Sequence, residues 1–423
     1  MSATRNEHIH DHPAVSAAGL DIEAIRGDFP ILHRPVHGKP LAFLDNAAST
    51  QKPEAVISAV ADFYRGEYAN IHRGVYHLSE VATARYEAAR EAVRAFINAA
   101  SLNEVIFTAG TTDSINLVAH SWGREFLTAG DEILITGMEH HANIVPWQLL
   151  GKDTGARLKV VPFTDDGDIE LDTFADMLTE RTRLVSVVHI SNSLGTVNPV
   201  REIIRLAHER DIPVLIDGAQ AIPHMTVDVQ ELDADFYAFS GHKMYGPTGV
   251  GVLYGKEALL ERMRPYRGGG DMIRTVTFEE TTFNELPHRF EAGTPNIAGV
   301  VGTAAAIAYL QQFDREAVAA HEQDLLAYAE AQLGQFEELR LIGHPRERAG
   351  AISFVIDTIH SHDVGTWLDR AGVAIRTGHH CTQPVMDRYG VPATSRLSVA
   401  IYNRREDIDA LVSGLRSVFE VFG

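Results

Sequence analysis

At 423 residues and 45% hydrophobic composition, the chain can bury one large core plus a smaller second unit. A net charge of −20 with no Lys/Arg cluster argues against a nucleic-acid partner, and the lack of any apolar run of about 18 residues argues against a membrane span. The single cysteine, Cys381, rules out an internal disulfide and a cysteine-cluster zinc site.

Residues 1–20 read as a disordered polar leader, and nothing near His8, His10 and His12 would fix a metal geometry, so no metal is expected. The start lacks a basic segment followed by an apolar one, which reads as no secretory signal and a cytoplasmic location. Short apolar runs at 41–44, 104–107, 133–135, 158–161, 184–189, 214–216, 236–239 and 251–254 read as strands. Several are apolar throughout and suit a sheet covered on both faces. Helical patterns at 79–99, 113–127, 171–178 and 201–210 lie between them. This alternation implies right-handed crossovers and a mostly parallel sheet, with ligand residues at the carboxyl ends of its strands. Residues 256–295 break the rhythm with a flexible Arg267-Gly268-Gly269-Gly270 and an extended arm at 275–283. Long helices at 297–313 and 316–336 follow, and the tail mixes strands (351–356, 397–401) with helices (362–371, 406–421). The expected fold class is α/β. A large domain over 21–300 carries a mostly parallel mixed sheet, and its first residues can pack on a smaller α+β domain over 301–423.

Five segments carry chemistry. Ser240-Gly241-His242-Lys243 follows the run at 236–239; a lysine in a dry, electropositive pocket has its pKa lowered and forms imines, although most lysines in turns are surface residues. Asp217 ends the run Val214-Leu215-Ile216, where a carboxylate can partner a protonated pyridine nitrogen or simply cap a helix; Gln220 is placed to donate to a ring oxygen. In Phe107-Thr108-Ala109-Gly110-Thr111-Thr112-Asp113 a strand runs through small residues into a helix, so Thr111 and Thr112 can cradle an anion or serve as caps. Met138-Glu139-His140-His141-Ala142-Asn143 offers an imidazole to stack on a planar ring; adjacent histidines point apart, which speaks against metal. In Arg376-Thr377-Gly378-His379-His380-Cys381, two histidines and an arginine precede the only thiol. A lone cysteine is by default a small buried hydrophobe, but positive charge or a base beside it favours the reactive thiolate. Arg396 opens a later strand and can bind a carboxylate through two hydrogen bonds. A lysine, a ring-partner carboxylate, an anion cradle and a stacking histidine are together what pyridoxal 5'-phosphate (PLP) requires.

These residues resemble class V, fold-type I PLP enzymes, and within them the SufS-type (group II) cysteine desulfurases. The similarity runs from about Phe29 to the C-terminus. It rests on Phe43-Leu44-Asp45-Asn46-Ala47-Ala48-Ser49, His140-His141-Ala142-Asn143, Ser240-Gly241-His242-Lys243, Phe290-Glu291-Ala292-Gly293-Thr294-Pro295-Asn296 and, most diagnostically, the segment ending at Cys381. The resemblance implies a homodimer with its active sites near the interface. It implies a Schiff base on Lys243, Asp217 on the ring nitrogen, His140 stacked on the ring, and phosphate contacts from Thr112, Ser240 and His242, with Thr294 reaching in from the other subunit. Asn192 and Gln220 would touch cofactor or substrate. Arg396 would take the substrate carboxylate, and Arg376 and His72 (in Asn70-Ile71-His72-Arg73-Gly74) would lie near it. Asp113 departs from the pattern, since many relatives carry glutamate there. The implied reaction converts L-cysteine to L-alanine with sulfur carried on Cys381 as a persulfide, for delivery to an acceptor of SufE or SufU type in iron–sulfur cluster assembly. L-selenocysteine is the alternative substrate.

Overall fold

The protein is described here by a computed structural model that covers residue 16 and residues 18–422. His8, His10 and His12 lie outside the described residues. Seven strands form the main sheet in the order Val105–Thr108, Gly251–Gly255, Phe236–Ser240, Val214–Asp217, Thr182–Val188, Glu132–Thr136, Arg157–Val161. Gly251–Gly255 is antiparallel to both of its neighbours, and the other pairings are parallel. The central strands are buried along their whole length, which explains their unbroken apolar character.

A second sheet of four antiparallel strands runs in the order Leu339–Ile342, Ala351–Ile356, Thr394–Ser398, Arg376–Gly378. The helices Ser361–Arg370 and Arg405–Phe422 bury Leu368, Leu411 and Leu415 in a core that includes Ile352, Phe354 and Leu397 of this sheet. The helix Ile297–Leu310 packs on His77–Phe96 and Glu54–Asp62, and Arg315–Leu333 follows it. Between the two sheets, Phe29 meets the rings of Tyr245, Tyr309 and Tyr402 at centroid distances of 5.9, 5.7 and 4.6 Å.

The structure corrects three expectations. The run at 41–44 is not part of the main sheet: Ala42–Phe43 pairs in parallel with Val373–Ala374 on the smaller unit. An apolar run carries no information about which edge it joins. The strand expected at 397–401 lies at Thr394–Ser398, because Val399 turns away to donate to Gly350 O and Asn403 closes the following turn onto Ala400. The arm at 275–283 is a hairpin of Ile273–Val276 and Thr281–Phe283.

Candidate active site

The carboxyl ends of the parallel strands converge on a cavity of about 200 Å³. Lys243 ends a short 3-10 turn, Gly241–Lys243, directly after Phe236–Ser240, and it lines the cavity. Withdrawal from water pushes its amine down to about 8, while Asp217 pulls in the opposite direction. Asp217 is the last residue of its strand and is 3% exposed. Its carboxylate accepts from Ala219 N at 3.0 Å, its carbonyl accepts from His189 N, and burial raises its pKa. Gly218 must lack a side chain, because a Cβ there would sit 1.9 Å from the Tyr237 ring.

His140 also lines the cavity, and burial pushes its imidazole down to about 3. Ala142 N donates to its Nδ1 at 3.0 Å, so the neutral ring carries its proton on Nε2. The helix Thr111–Val118 starts at the cavity wall. Thr111 N donates to Ser240 Oγ at 2.8 Å and the two hydroxyls lie 2.7 Å apart, with Thr112 and His242 beside them. Gly251 allows this closeness, since a Cβ there would lie 2.4 Å from Gly110 Cα. Burial, together with Lys243 and Lys52, pushes His242 down to about 4.

The thiol comes from the other unit. After Arg376–Gly378, His380 (φ 51°) and Cys381 (φ 58°) are consecutive non-glycine residues in the left-handed region, each costing about 1 kcal/mol or more. The large unit holds this loop in place. Asn192 Nδ2 donates to His380 O at 2.7 Å, His141 N donates to Cys381 O at 2.7 Å, and Gln383 N donates to His141 Nε2 at 3.1 Å. Cys381 N donates to His379 Nδ1 at 3.1 Å. His380 lies 2.7 Å from Thr394 Oγ1, and burial depresses its pKa so far that it brings no positive charge to the thiol near neutrality. Arg396 is 1% exposed and pushed down to about 10 by burial, so it remains cationic at neutral pH. It pairs with Asp45 at 3.0 Å and donates to Asn192 O at 2.8 Å, while its Nε and Asn192 Oδ1 have no partner among the described residues.

Cys381, Lys243, Asp217, Gln220, His140, Thr111, Thr112, Ser240, His242, Asn192, Arg376 and Arg396 all line this one cavity. Gln220 Nε2 donates to Ala47 O at 2.7 Å. Thr294 lines a separate cavity with Arg267 and Asn296, and His72 lies 2.9 Å from Glu87 and close to His288. Asp113 pairs with Arg267 of the same chain. Asp45 and Glu139 have no role that their sequence context reveals: the pairing of Asp45 with Arg396 exists only once the two units meet, and Glu139 is a single acid beside two histidines.

This donor set fits PLP. A depressed amine, a buried carboxylate awaiting a cation, a helix N-terminus with three hydroxyls and a neutral imidazole are gathered around a cavity with unpartnered polar atoms at its wall. The aminotransferase class-V family model matches residues 42–411. The chain therefore belongs to the class-V aminotransferase family of fold-type I, PLP-dependent enzymes.

Its place within that family is among the cysteine desulfurases. A cysteine desulfurase of Yersinia pestis (strain Pestoides F) is 53% identical over 403 residues, spanning 95% of this chain and 99% of the relative. The crystal structure of the cysteine desulfurase CsdA from Escherichia coli superposes with a TM-score of 0.89 at 39% identity, covering 96% of this chain and all of the other. The apo cysteine desulfurase of Thermococcus onnurineus NA1 superposes equally well, at 36% identity over 94% of this chain and 97% of the other.

Proposed function

We propose that this cysteine desulfurase leaves L-alanine as the carbon product and receives the sulfur on Cys381 as a persulfide. The observation that carries the reading is that the only thiol of the chain and the depressed amine of Lys243 line the same small cavity although they come from different units. Lys243 would hold PLP, with Asp217 as the partner of its ring nitrogen and Thr111, Thr112, Ser240 and His242 as the residues that would hold its phosphate. PLP, when bound, withdraws electrons from the substrate Cα and makes its proton acidic.

Arg396 takes the substrate carboxylate and is kept in orientation by Asp45 and Asn192 O. Arg376 adds positive charge on the same side. Lys243, as the free amine, takes the Cα proton and returns one to the product. Neutral His140 presents its Nε2–H to the cavity and can donate there. Cys381, as thiolate, attacks the substrate sulfur: the S–S bond forms, the Cβ–S bond breaks, and its electron pair stays with the carbon skeleton. The balance is L-cysteine plus thiol giving L-alanine plus persulfide, with no external oxidant or reductant.

In this reading residues 21–300 hold the cofactor and 301–423 bring the thiol. Two copies assemble, with Thr294 serving the neighbouring site, which accords with its absence from this chain's own cavity. The persulfide passes to a SufE- or SufU-type acceptor for iron–sulfur cluster assembly in the cytoplasm. No helix of the described residues is long and apolar enough to cross a membrane. The test is alanine release from L-cysteine by wild type and Cys381→Ala, with and without a candidate acceptor. The variant should keep its visible cofactor absorbance and lose alanine formation by about 100-fold or more; wild-type turnover by Cys381→Ala would overturn the reading. L-selenocysteine belongs in the same assay, because a selenolate leaves with less need of the thiol.

A further inference from the structure

Beneath the cavity lies a buried polar network centred on a residue that the mechanism above does not use. Glu139 is completely buried, and its carboxylate ties together the ends of two parallel strands. Oε1 accepts from Thr136 Oγ1 at 2.6 Å, on the strand Glu132–Thr136, and from Val188 N at 3.0 Å, on Thr182–Val188. Oε2 accepts from Asn143 Nδ2 at 2.7 Å, in the turn that follows His140. The orientation of the Asn143 amide is fixed from its far side, because Trp147 Nε1, which can only donate, reaches Asn143 Oδ1 at 2.9 Å and Ser186 Oγ reaches the same oxygen at 2.6 Å. The whole chain of bonds therefore runs in one direction, with its hydrogens pointing toward Glu139.

One of the groups so tied reaches the cavity, and so does the neighbour of Glu139 in the chain. Val188 lines it, and His140 is the next residue in the chain. We propose that Glu139 is a positioning residue: by fixing the polarity of this network it sets the height and tilt of His140 over the cofactor site and the spacing of the strand ends that carry His140 and Asn192. The inference rests on the PLP desulfurase reading above. Burial pushes the Glu139 carboxyl up to about 8, with its three hydrogen bonds pulling the other way. Val188 N and Asn143 Nδ2 donate whether or not the acid is protonated, and only the Thr136 bond can reverse. The clamp therefore persists through the neutral range.

The decisive variant is Glu139→Gln, which keeps the shape and changes one acceptor into a donor. The introduced NH2 would face either Asn143 Nδ2 or, turned over, Val188 N, neither of which can accept, and Asn143 cannot turn over without opposing the Trp147 donor. The readouts are the circular dichroism of the bound cofactor band, which reports ring orientation, and the separate kcat and KM for L-cysteine. We expect an altered cofactor dichroism at equal occupancy and a kcat about tenfold or more lower, with KM changed by less than about threefold. Wild-type dichroism and kcat in folded Glu139→Gln would overturn the inference. Adding Trp147→Phe frees the Asn143 amide to turn and offer its oxygen to the introduced amide, so the double variant should recover dichroism and kcat relative to Glu139→Gln. If the single variant does not fold, the comparison is made with Glu139→Asp, which keeps the acceptors. The same dichroic shift with partial kcat loss supports the role, and a lowered Tm with unchanged dichroism and kcat overturns it. Wild-type turnover, measured alongside, separates failure of this inference from failure of the desulfurase reading.

Discussion

Lys243, Asp217 and His140 reach the cavity from the carboxyl ends of parallel strands, and their placement follows from backbone pairing deep in the sheet. Cys381 reaches the same cavity from a short loop on a four-stranded antiparallel sheet, with two successive left-handed residues and with contacts to His141 and Asn192 of the large unit. The platform is rigid because its hydrogen bonds are repeated and local to the sheet. The loop is placed because a few hydrogen bonds across the junction outweigh local backbone strain. In the proposed mechanism this division lets a cofactor site on the platform meet a nucleophile carried by a separate element, and the two halves should respond differently when disturbed.

The largest effect belongs to the platform. Lys243→Ala should abolish the visible absorbance that added PLP gives the wild type and lower alanine release by about 1,000-fold or more. Survival of both would remove the platform from the mechanism. Arg396→Lys comes next, because an ammonium cannot reproduce the paired geometry of a guanidinium already tied to Asp45 and Asn192. KM for L-cysteine should rise by about 100-fold while cofactor absorbance stays, as read from steady-state kinetics. The third effect is on pH. With the Lys243 amine pushed down to about 8, the reactive neutral form increases as pH rises through that value. The rate at which apoprotein develops cofactor absorbance should therefore climb about tenfold per pH unit below 8 and level off above it. A rate that keeps climbing tenfold per pH unit from 8 to about 9.5, with no plateau, would show that the amine is not depressed. The smallest effect belongs to the loop. His141→Ala removes the acceptor for Gln383 N but not the backbone bond to Cys381 O. It should slow single-turnover alanine formation by about three- to tenfold and leave the cofactor spectrum unchanged; a changed spectrum would mean that loop and platform are not separable.

Much of the platform was legible in the sequence. Each of its residues follows a short, mainly apolar run that reads as an interior strand, and parallel sheets gather ligand groups at one edge. That reasoning placed Lys243 after 236–239, Asp217 after 214–216 and Thr111 after 104–107, each within a few residues of the observed strand end. The smaller unit was less legible. Its first strand partner, Ala42–Phe43, comes from the opposite end of the chain, and Arg376–Gly378 is too short and too polar to show as a strand. The role expected of the paired histidines was not legible either: His379 accepts from the Cys381 amide, and His380 is buried against Thr394 in neutral form.

The sequence by itself determined the chemistry available: one thiol, a lysine after a buried strand, a carboxylate at another strand end and a hydroxyl-rich helix start. Side-chain type and strand periodicity are local properties, written directly in residue order. Only the tertiary structure decided that the thiol shares a cavity with Lys243, that Asp45 orients Arg396 and that Glu139 gathers Thr136, Val188 and Asn143 beneath His140. Each of those facts depends on how the chain brings its groups within a few ångströms of one another, and that is set by how whole elements pack.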